Sequence, residues 1–233
     1  MYKTVTFRQF YTFFNARKIL KKIQNIIENW PKSFIKDEDL AFLLNKSDDA
    51  RYSIVKRALK SGLLIKLRRG LYLIASKTKQ ILPNDFELAL NIYGPSFISL
   101  ESALSYHGWI PEAVYTTTCV TLKRSKEFET PLGVFSYRHV PSDQFYLGVE
   151  RILISPDIII FMASPWRALA DFIYTRKKNW KNIFELEADL RIENETLIES
   201  DQKMLELLIK NYPSQRVRNT FNKLFKNLKN IKK

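Results

Sequence analysis

The chain has 233 residues, with 38 Lys and Arg against 24 Asp and Glu and a formal net charge of +14. At 45% hydrophobic and 13% aromatic it is too apolar for a disordered basic tail, and it can bury one large core or two modest ones. Its one cysteine, Cys119, excludes an intramolecular disulfide and a cysteine zinc cage, so the expectation is a reducing, cytoplasmic setting with no metal and no cofactor.

The charge is unevenly placed. Residues 1–80 hold 18 basic against 6 acidic side chains, residues 81–182 hold 10 of each, and residues 183–233 hold 10 against 8. A single-sign field gathered in one third of a chain steers a polyanion such as nucleic acid or an acidic membrane surface. The longest apolar run, Ile158 to Ala163, is far below the roughly 20 residues of a membrane-spanning helix, and no membrane partner is expected. The aromatics between Phe7 and Phe14 are interrupted by Arg8 and Gln9, which predicts a mature start rather than a signal peptide.

Ile19, Leu20, Ile23, Ile26, Ile27 and Trp30 form the stripe of an amphipathic helix that Pro31 stops, with Lys18, Lys21 and Lys22 on its far side. Taken alone, that helix also suits a membrane surface. Phe34-Ile35 reads as a short strand, and Asp37 caps a helix running to Leu44. Ser47 starts the next helix, Asp48 and Asp49 suit its positive end, and Gly62 closes it after Ser61. At 100° per residue Ile54, Val55, Ala58 and Leu59 share one face; Ser53, Lys56, Arg57 and Lys60 share the other, with Tyr52 on its margin. A hairpin follows, Leu63 to Leu67 and Leu71 to Ile74, turning at Arg68-Arg69-Gly70.

This order of elements predicts a winged helix-turn-helix over residues 1–78, with the third helix in the major groove of double-stranded DNA and the wing along phosphates or a minor groove. The expected DNA-binding residues are Tyr52, Ser53, Lys56, Arg57, Lys60, Lys66, Arg68 and Arg69. Arg57 is the better base reader and Lys56 and Lys60 the better phosphate contacts. A charged helix face is also commonly just solvated, and winged helices serve protein and RNA partners too.

Ala75 to Gln80 reads as a linker into a second domain, residues 79–233, of α+β type. There the sequence predicts a helix over 84–93, a helix from Leu100 to His107 capped by Ser99, and strands around 114–122, 127–129 and 134–140. One or two more strands fall within 152–163, Pro165 opens a helix, and a mostly helical end from about Phe184 frays from Lys226. The fold class expected for the whole chain is α+β, an N-terminal winged helix-turn-helix followed by a C-terminal α+β domain.

The string SLESALSYHGWIPEAV (Ser99 to Val114), with TPLGVFSYRHVP (Thr130 to Pro141), resembles the AbiEi antitoxin family of predicted viral-defence regulators. The segments Lys56 to Leu63 and Arg68 to Tyr72 are similar to that family's winged-helix signature, and Ser164 to Asp171 to its Pro-x-x-Ala-Leu-x-Asp helix opening. The resemblance covers roughly residues 35–180. It implies an autorepressor that binds inverted repeats in its own promoter, and an antitoxin, of type IV, whose C-terminal domain counteracts a nucleotidyltransferase toxin without a stable complex. The aromatic N-terminal segment, Phe7 to Arg17, departs from the family pattern.

Glu101, Tyr106, His107 and Arg138 are the candidate antitoxin surface, against the alternative that Tyr106, His107 and Arg138 are structural hydrogen-bonders between helix and sheet. Glu101 and His107 point to opposite sides of one helix and make no acid/base pair alone. No phosphate loop, nucleophile elbow or zinc-protease motif is present, so no enzymatic activity is expected. The rival readings are a stand-alone winged-helix regulator without a toxin and, in the enzyme class, a nucleic-acid-processing protein using His107 or His139.

Overall fold

A computed structural model describes residues 21, 23–78 and 82–231, so the aromatic N-terminal segment and the first turn of the expected leading helix lie outside the described residues. The chain divides into two units between Asn84 and Asp85. The expected boundary at 78/79 falls a few residues early. The stretch read as linker opens with a short helix, α4 (Ala75–Thr78), whose first amide donates to the Leu63 carbonyl at 3.1 Å and so stays with the first unit.

In the first unit a helix over residues 23–29 (α1) leads to β1 (Phe34–Lys36), α2 (Asp37–Leu44), α3 (Asp48–Lys60), β2 (Leu64–Arg68) and β3 (Leu71–Ile74). The strands form an antiparallel sheet in the order β1-β3-β2, with Ile35 opposite Tyr72 and Ile65 opposite Leu73. Ile23 and Ile27 of α1, Leu40 and Leu44 of α2, and Ile54, Val55 and Ala58 of α3 close one core over this sheet. The leading helix therefore uses its apolar stripe inside the protein, which answers the membrane-surface alternative for the described part of it.

Both ends of α3 follow from local chemistry. Ser47 holds the N-cap position, although its hydroxyl makes no capping bond there. At the other end Leu63 N–H donates to Ala58 O at 3.0 Å and Gly62 N–H to Leu59 O at 3.1 Å, a Schellman closure that places Gly62 at φ +74°. No atom stands within 4 Å of a Cβ built there, so Gly62→Ala tests backbone strain alone. We expect a loss of about 1–2 kcal/mol in urea unfolding. At the start of α2 the expected Asp37 cap is corrected: Asp37 is the first helical residue, and Asp39 Oδ2 accepts from the Lys36 amide at 3.0 Å.

The second unit is a mixed six-stranded sheet in the order β6-β7-β5-β4-β9-β8 with helices packed on it. Its elements run α5 (Asp85–Ile92), β4 (Ser96–Ile98), α6 (Leu100–Tyr106), β5 (Thr116–Thr121), β6 (Lys126–Thr130), β7 (Gly133–His139), β8 (Val149–Ser155) and β9 (Ile158–Ala163). Then come α7 (Pro165–Arg176), α8 (Ile183–Leu190), α9 (Asn194–Glu199), α10 (Gln202–Asn211) and α11 (Gln215–Ile231). The three-residue β4 lies near the middle, antiparallel to β5 (Ile98 opposite Cys119) and parallel to β9 (Ile98 opposite Met162). The segment expected to fray, from Lys226, instead continues α11 to Ile231, because Val217, Phe221, Leu224 and Leu228 bury one face of that helix. Among the described residues no helix is long and apolar enough to cross a membrane.

Beneath α7 sits a buried polar cluster. Asp171, wholly buried, takes Arg167 Nε at 3.0 Å on Oδ1, the Ser99 hydroxyl at 2.7 Å on Oδ2 and the Tyr212 hydroxyl at 2.8 Å on Oδ1. The Arg167 guanidinium lies over the Phe97 and Tyr212 rings and donates to the Leu147 carbonyl. Burial, and then the Asp171 charge, push the Tyr212 hydroxyl well above its ordinary range, so it remains a donor. Ser99, expected to cap α6, gives its hydroxyl to Asp171; Thr118 Oγ1 accepts from the Ser102 amide at 3.0 Å in its stead. Cys119 is fully buried in β5, which raises its thiol pKa and leaves it protonated.

Candidate nucleic-acid interface

α3 turns Ile54, Val55 and Ala58 inward. Since a helix advances 100° per residue, Tyr52, Ser53, Lys56 and Lys60 then face outward and are exposed, with Arg57 half-buried at the edge. Tyr52 is 70% exposed. The structure thus brings five of the eight expected residues onto one side of one helix. Asp48 and Asp49 occupy the first turn, so the face is acidic at its start and basic over its second half.

Arg51, on the same helix, has another task. Its Nη2 meets Asp37 Oδ2 at 3.1 Å and its Nη1 meets Asp48 Oδ1 at 2.8 Å, tying α3 to the start of α2. These bonds raise its pKa, first through Asp37 and then through Asp48. Burial, with a smaller push from Asp37, also lifts the Tyr72 phenol, which stays neutral on β3.

The hairpin carries the other three expected residues. Lys66 and Arg69 are exposed, but Arg68 is half-buried and its Nη1 donates to the Arg69 carbonyl at 2.6 Å. Arg68 is thereby bent onto its own turn, and Arg69 and Lys66 are the outward cations. Gly70 supplies the positive φ of +77° that the turn needs, and its carbonyl accepts the Asp37 amide at 3.0 Å. The hairpin tip and the α2–α3 pair are therefore linked at Asp37. Sequence reading missed Phe42 on α2, which is 86% exposed; its place in an apolar run concealed it.

The four residues offered as an antitoxin surface do not converge. Glu101 pairs with Arg176 of α7 at 2.5 Å, and the His107 Nε2–H donates to the Ala163 carbonyl on β9 at 3.0 Å. Tyr106 is half exposed, its ring edge-on to Phe86 and to His107. Arg138 is on β7, opposite Val120 of β5, three strands from β9 and so about 14 Å across the sheet from the His107 partner strand. His107 thus holds helix to sheet, while Arg138 belongs to another part of the surface.

Two further surfaces of the second unit were hidden in segment totals. All eight acidic residues of 183–233 precede α11, whereas α11 carries Arg216, Arg218, Lys223, Lys226 and Lys229 and no acidic residue. Beside it lies a polar cavity of about 510 Å³ lined by Asn179, Arg216, Asn219, Asn222 and Lys223. On the sheet, Tyr146, Leu153, Ile159 and Phe161 are exposed together, with Leu153 opposite Ile159 and the Tyr146 and Phe161 rings 6.2 Å apart.

No protein-family model and no curated protein matches the chain.

Proposed function

We propose that the first unit is a winged helix-turn-helix that binds double-stranded DNA, and that the chain is the autorepressor and antitoxin of a type IV toxin-antitoxin pair. In this reading α2 and α3 are the helix-turn-helix, α3 enters the major groove, and the β2–β3 hairpin is the wing. The observation that carries the DNA half is the outward face of α3, where Lys56, Arg57 and Lys60 follow Tyr52 and Ser53 with no acidic residue among them. Lys66 and Arg69 of the wing add charge on a second element, as a duplex with two backbone tracks requires. The antitoxin half rests on the resemblance of Ser99–Val114 and Thr130–Pro141 to the AbiEi family. Its target is a nucleotidyltransferase toxin, opposed without a stable complex from a cytoplasmic, non-enzymatic second unit.

Binding of the full chain to its own promoter DNA, followed by fluorescence anisotropy, tests the DNA half. Lys60→Ala should weaken operator and scrambled DNA alike, whereas Arg57→Ala should weaken the operator by about 1–3 kcal/mol and narrow the gap between the two. Equal loss on both sequences from Arg57→Ala would remove its base-reading role. For the antitoxin half, co-expression with the product of an adjacent nucleotidyltransferase gene should restore growth, and absence of such a gene refutes it.

A further inference from the structure

We infer that the groove between α11 and the loop before α8 binds single-stranded nucleic acid, with one unpaired nucleotide in its cavity and the adjoining phosphates along the helix. At 100° per residue Arg216, Asn219, Lys223, Lys226 and Asn230 fall within an arc of about 80°, turned away from the buried Val217, Phe221, Leu224 and Leu228. The four after Arg216 are exposed, Arg216 is half-buried, and the stripe rises about 21 Å along the helix. The loop follows one edge of it: the Thr220 hydroxyl donates to Asn179 Oδ1 at 3.4 Å, and the Ile183 amide donates to Asn227 Oδ1 at 3.2 Å. Between these two points Lys181 is exposed.

The cavity of about 510 Å³ in this groove has cations and amides in its wall, Asn179, Arg216, Asn219, Asn222 and Lys223, and neither a carboxylate nor an apolar side chain. Arg216 is fixed there, its Nη2 donating to the Tyr174 carbonyl at 2.9 Å. Among the described residues Arg216, Lys223 and Lys226 are in no ion pair. Their basic neighbours are committed elsewhere, Arg218 to the Tyr212 carbonyl at 2.6 Å and Lys178 to Asp189 at 2.6 Å. Glu185, at the start of α8, takes the Lys181 amide at 2.8 Å. An arginine held in a cavity wall without a counter-ion, continued by two lysines on the same stripe, points to a run of phosphates.

The asparagines say what else the ligand carries. Phosphate oxygens only accept, whereas a base edge or a ribose hydroxyl uses both ends of an amide. Among the described residues the Asn222 side chain makes no hydrogen bond and so offers both ends; Asn179 and Asn219 are bonded through Oδ1 and keep their Nδ2 donors. A duplex holds its bases paired inside, so none enters a side cavity without being flipped out, a cost that an unpaired strand escapes. Single-strand sites also offer aromatic rings on which bases stack, and Phe184, the residue after the Ile183 bond to α11, is 69% exposed. The groove thus differs in kind from the face of α3, where side chains stand out from a single helix.

Fluorescence anisotropy with end-labelled oligouridine RNA and oligothymidine DNA of about 12 nucleotides tests this, using the full-length protein with Lys56→Ala/Arg57→Ala/Lys60→Ala as the parent so that the α3 face does not contribute. Saturable binding of both strands is expected, and a gap between them reports a contact to the ribose hydroxyl. Adding Lys223→Ala/Lys226→Ala should lower affinity about tenfold at about 0.15 M salt and flatten the slope of log K against log salt by about 1.4, at about 0.7 for each phosphate contact on a single strand. Asn222→Ala should weaken binding severalfold and leave the slope unchanged, since a neutral amide releases no counterion. Lys203→Ala/Lys210→Ala, on exposed positions of α10 outside the cavity wall, removes the same charge and should bind as the parent. Circular dichroism should be the same for all. Equal loss from the two lysine pairs, parent-like binding by the Lys223/Lys226 pair, or an equal affinity through that pair for a blunt duplex would overturn the assignment.

Discussion

Asp171→Ala should cost the second unit about 3–5 kcal/mol, the largest loss expected from any single substitution in this protein. The reason is what stays behind. Arg167 is 1% exposed and its Nε bonds only to Asp171, so truncation leaves a guanidinium in the core with the Leu147 carbonyl and two aromatic faces as its remaining company. The Ser99 and Tyr212 hydroxyls lose their acceptor at the same time. Folded domains have only about 5–15 kcal/mol in hand. Urea unfolding followed by tryptophan fluorescence reports on this unit, which holds Trp109, Trp166 and Trp180, with Trp30 alone in the other. An Arg167→Met/Asp171→Leu pair should recover much of the loss, since it removes the stranded charge along with its partner. A cost below about 1 kcal/mol for Asp171→Ala would show that the cluster is solvated in solution.

Asp171 also shows where sequence reading stops. Pro165 marks the start of α7, and the apolar spacing marks its inner face, because both signals are local. The same holds for α3, whose two ends and outward basic side are written within sixteen consecutive residues, Ser47 to Gly62. Ser99 and Tyr212 reach Asp171 from 72 and 41 residues away, and no periodicity encodes such a meeting. The strand order was illegible for a related reason. A three-residue β4 has too few positions to show alternation, yet it joins the two halves of the sheet, and without it Arg138 and His107 looked like neighbours. Charge totals misled where opposite signs were averaged, as they were for acidic α8 to α10 beside basic α11. Arg51 and Arg68 mark the remaining gap: composition counts them with Lys56 and Arg57, but one is committed to Asp37 and Asp48 and the other to its own turn.

Replacing Lys56, Arg57 and Lys60 together with alanine should lower affinity for promoter DNA by roughly a hundredfold or more at physiological salt, with the size of the loss set by the salt itself. Each phosphate contact removed flattens the slope of log K against log salt by about 0.9. If all three side chains grip phosphates, the slope per protein copy falls by about 2.7; if Arg57 reads a base, it falls by about 1.8. Two copies on an inverted repeat double either figure, so the same titration also reports how many copies occupy the operator. The fold of α3 should survive, since the lysines are exposed, Arg57 is at the edge, and alanine is the strongest helix former. A triple variant with wild-type affinity and slope would mean that this face is merely solvated, and the DNA-binding reading would fall with it.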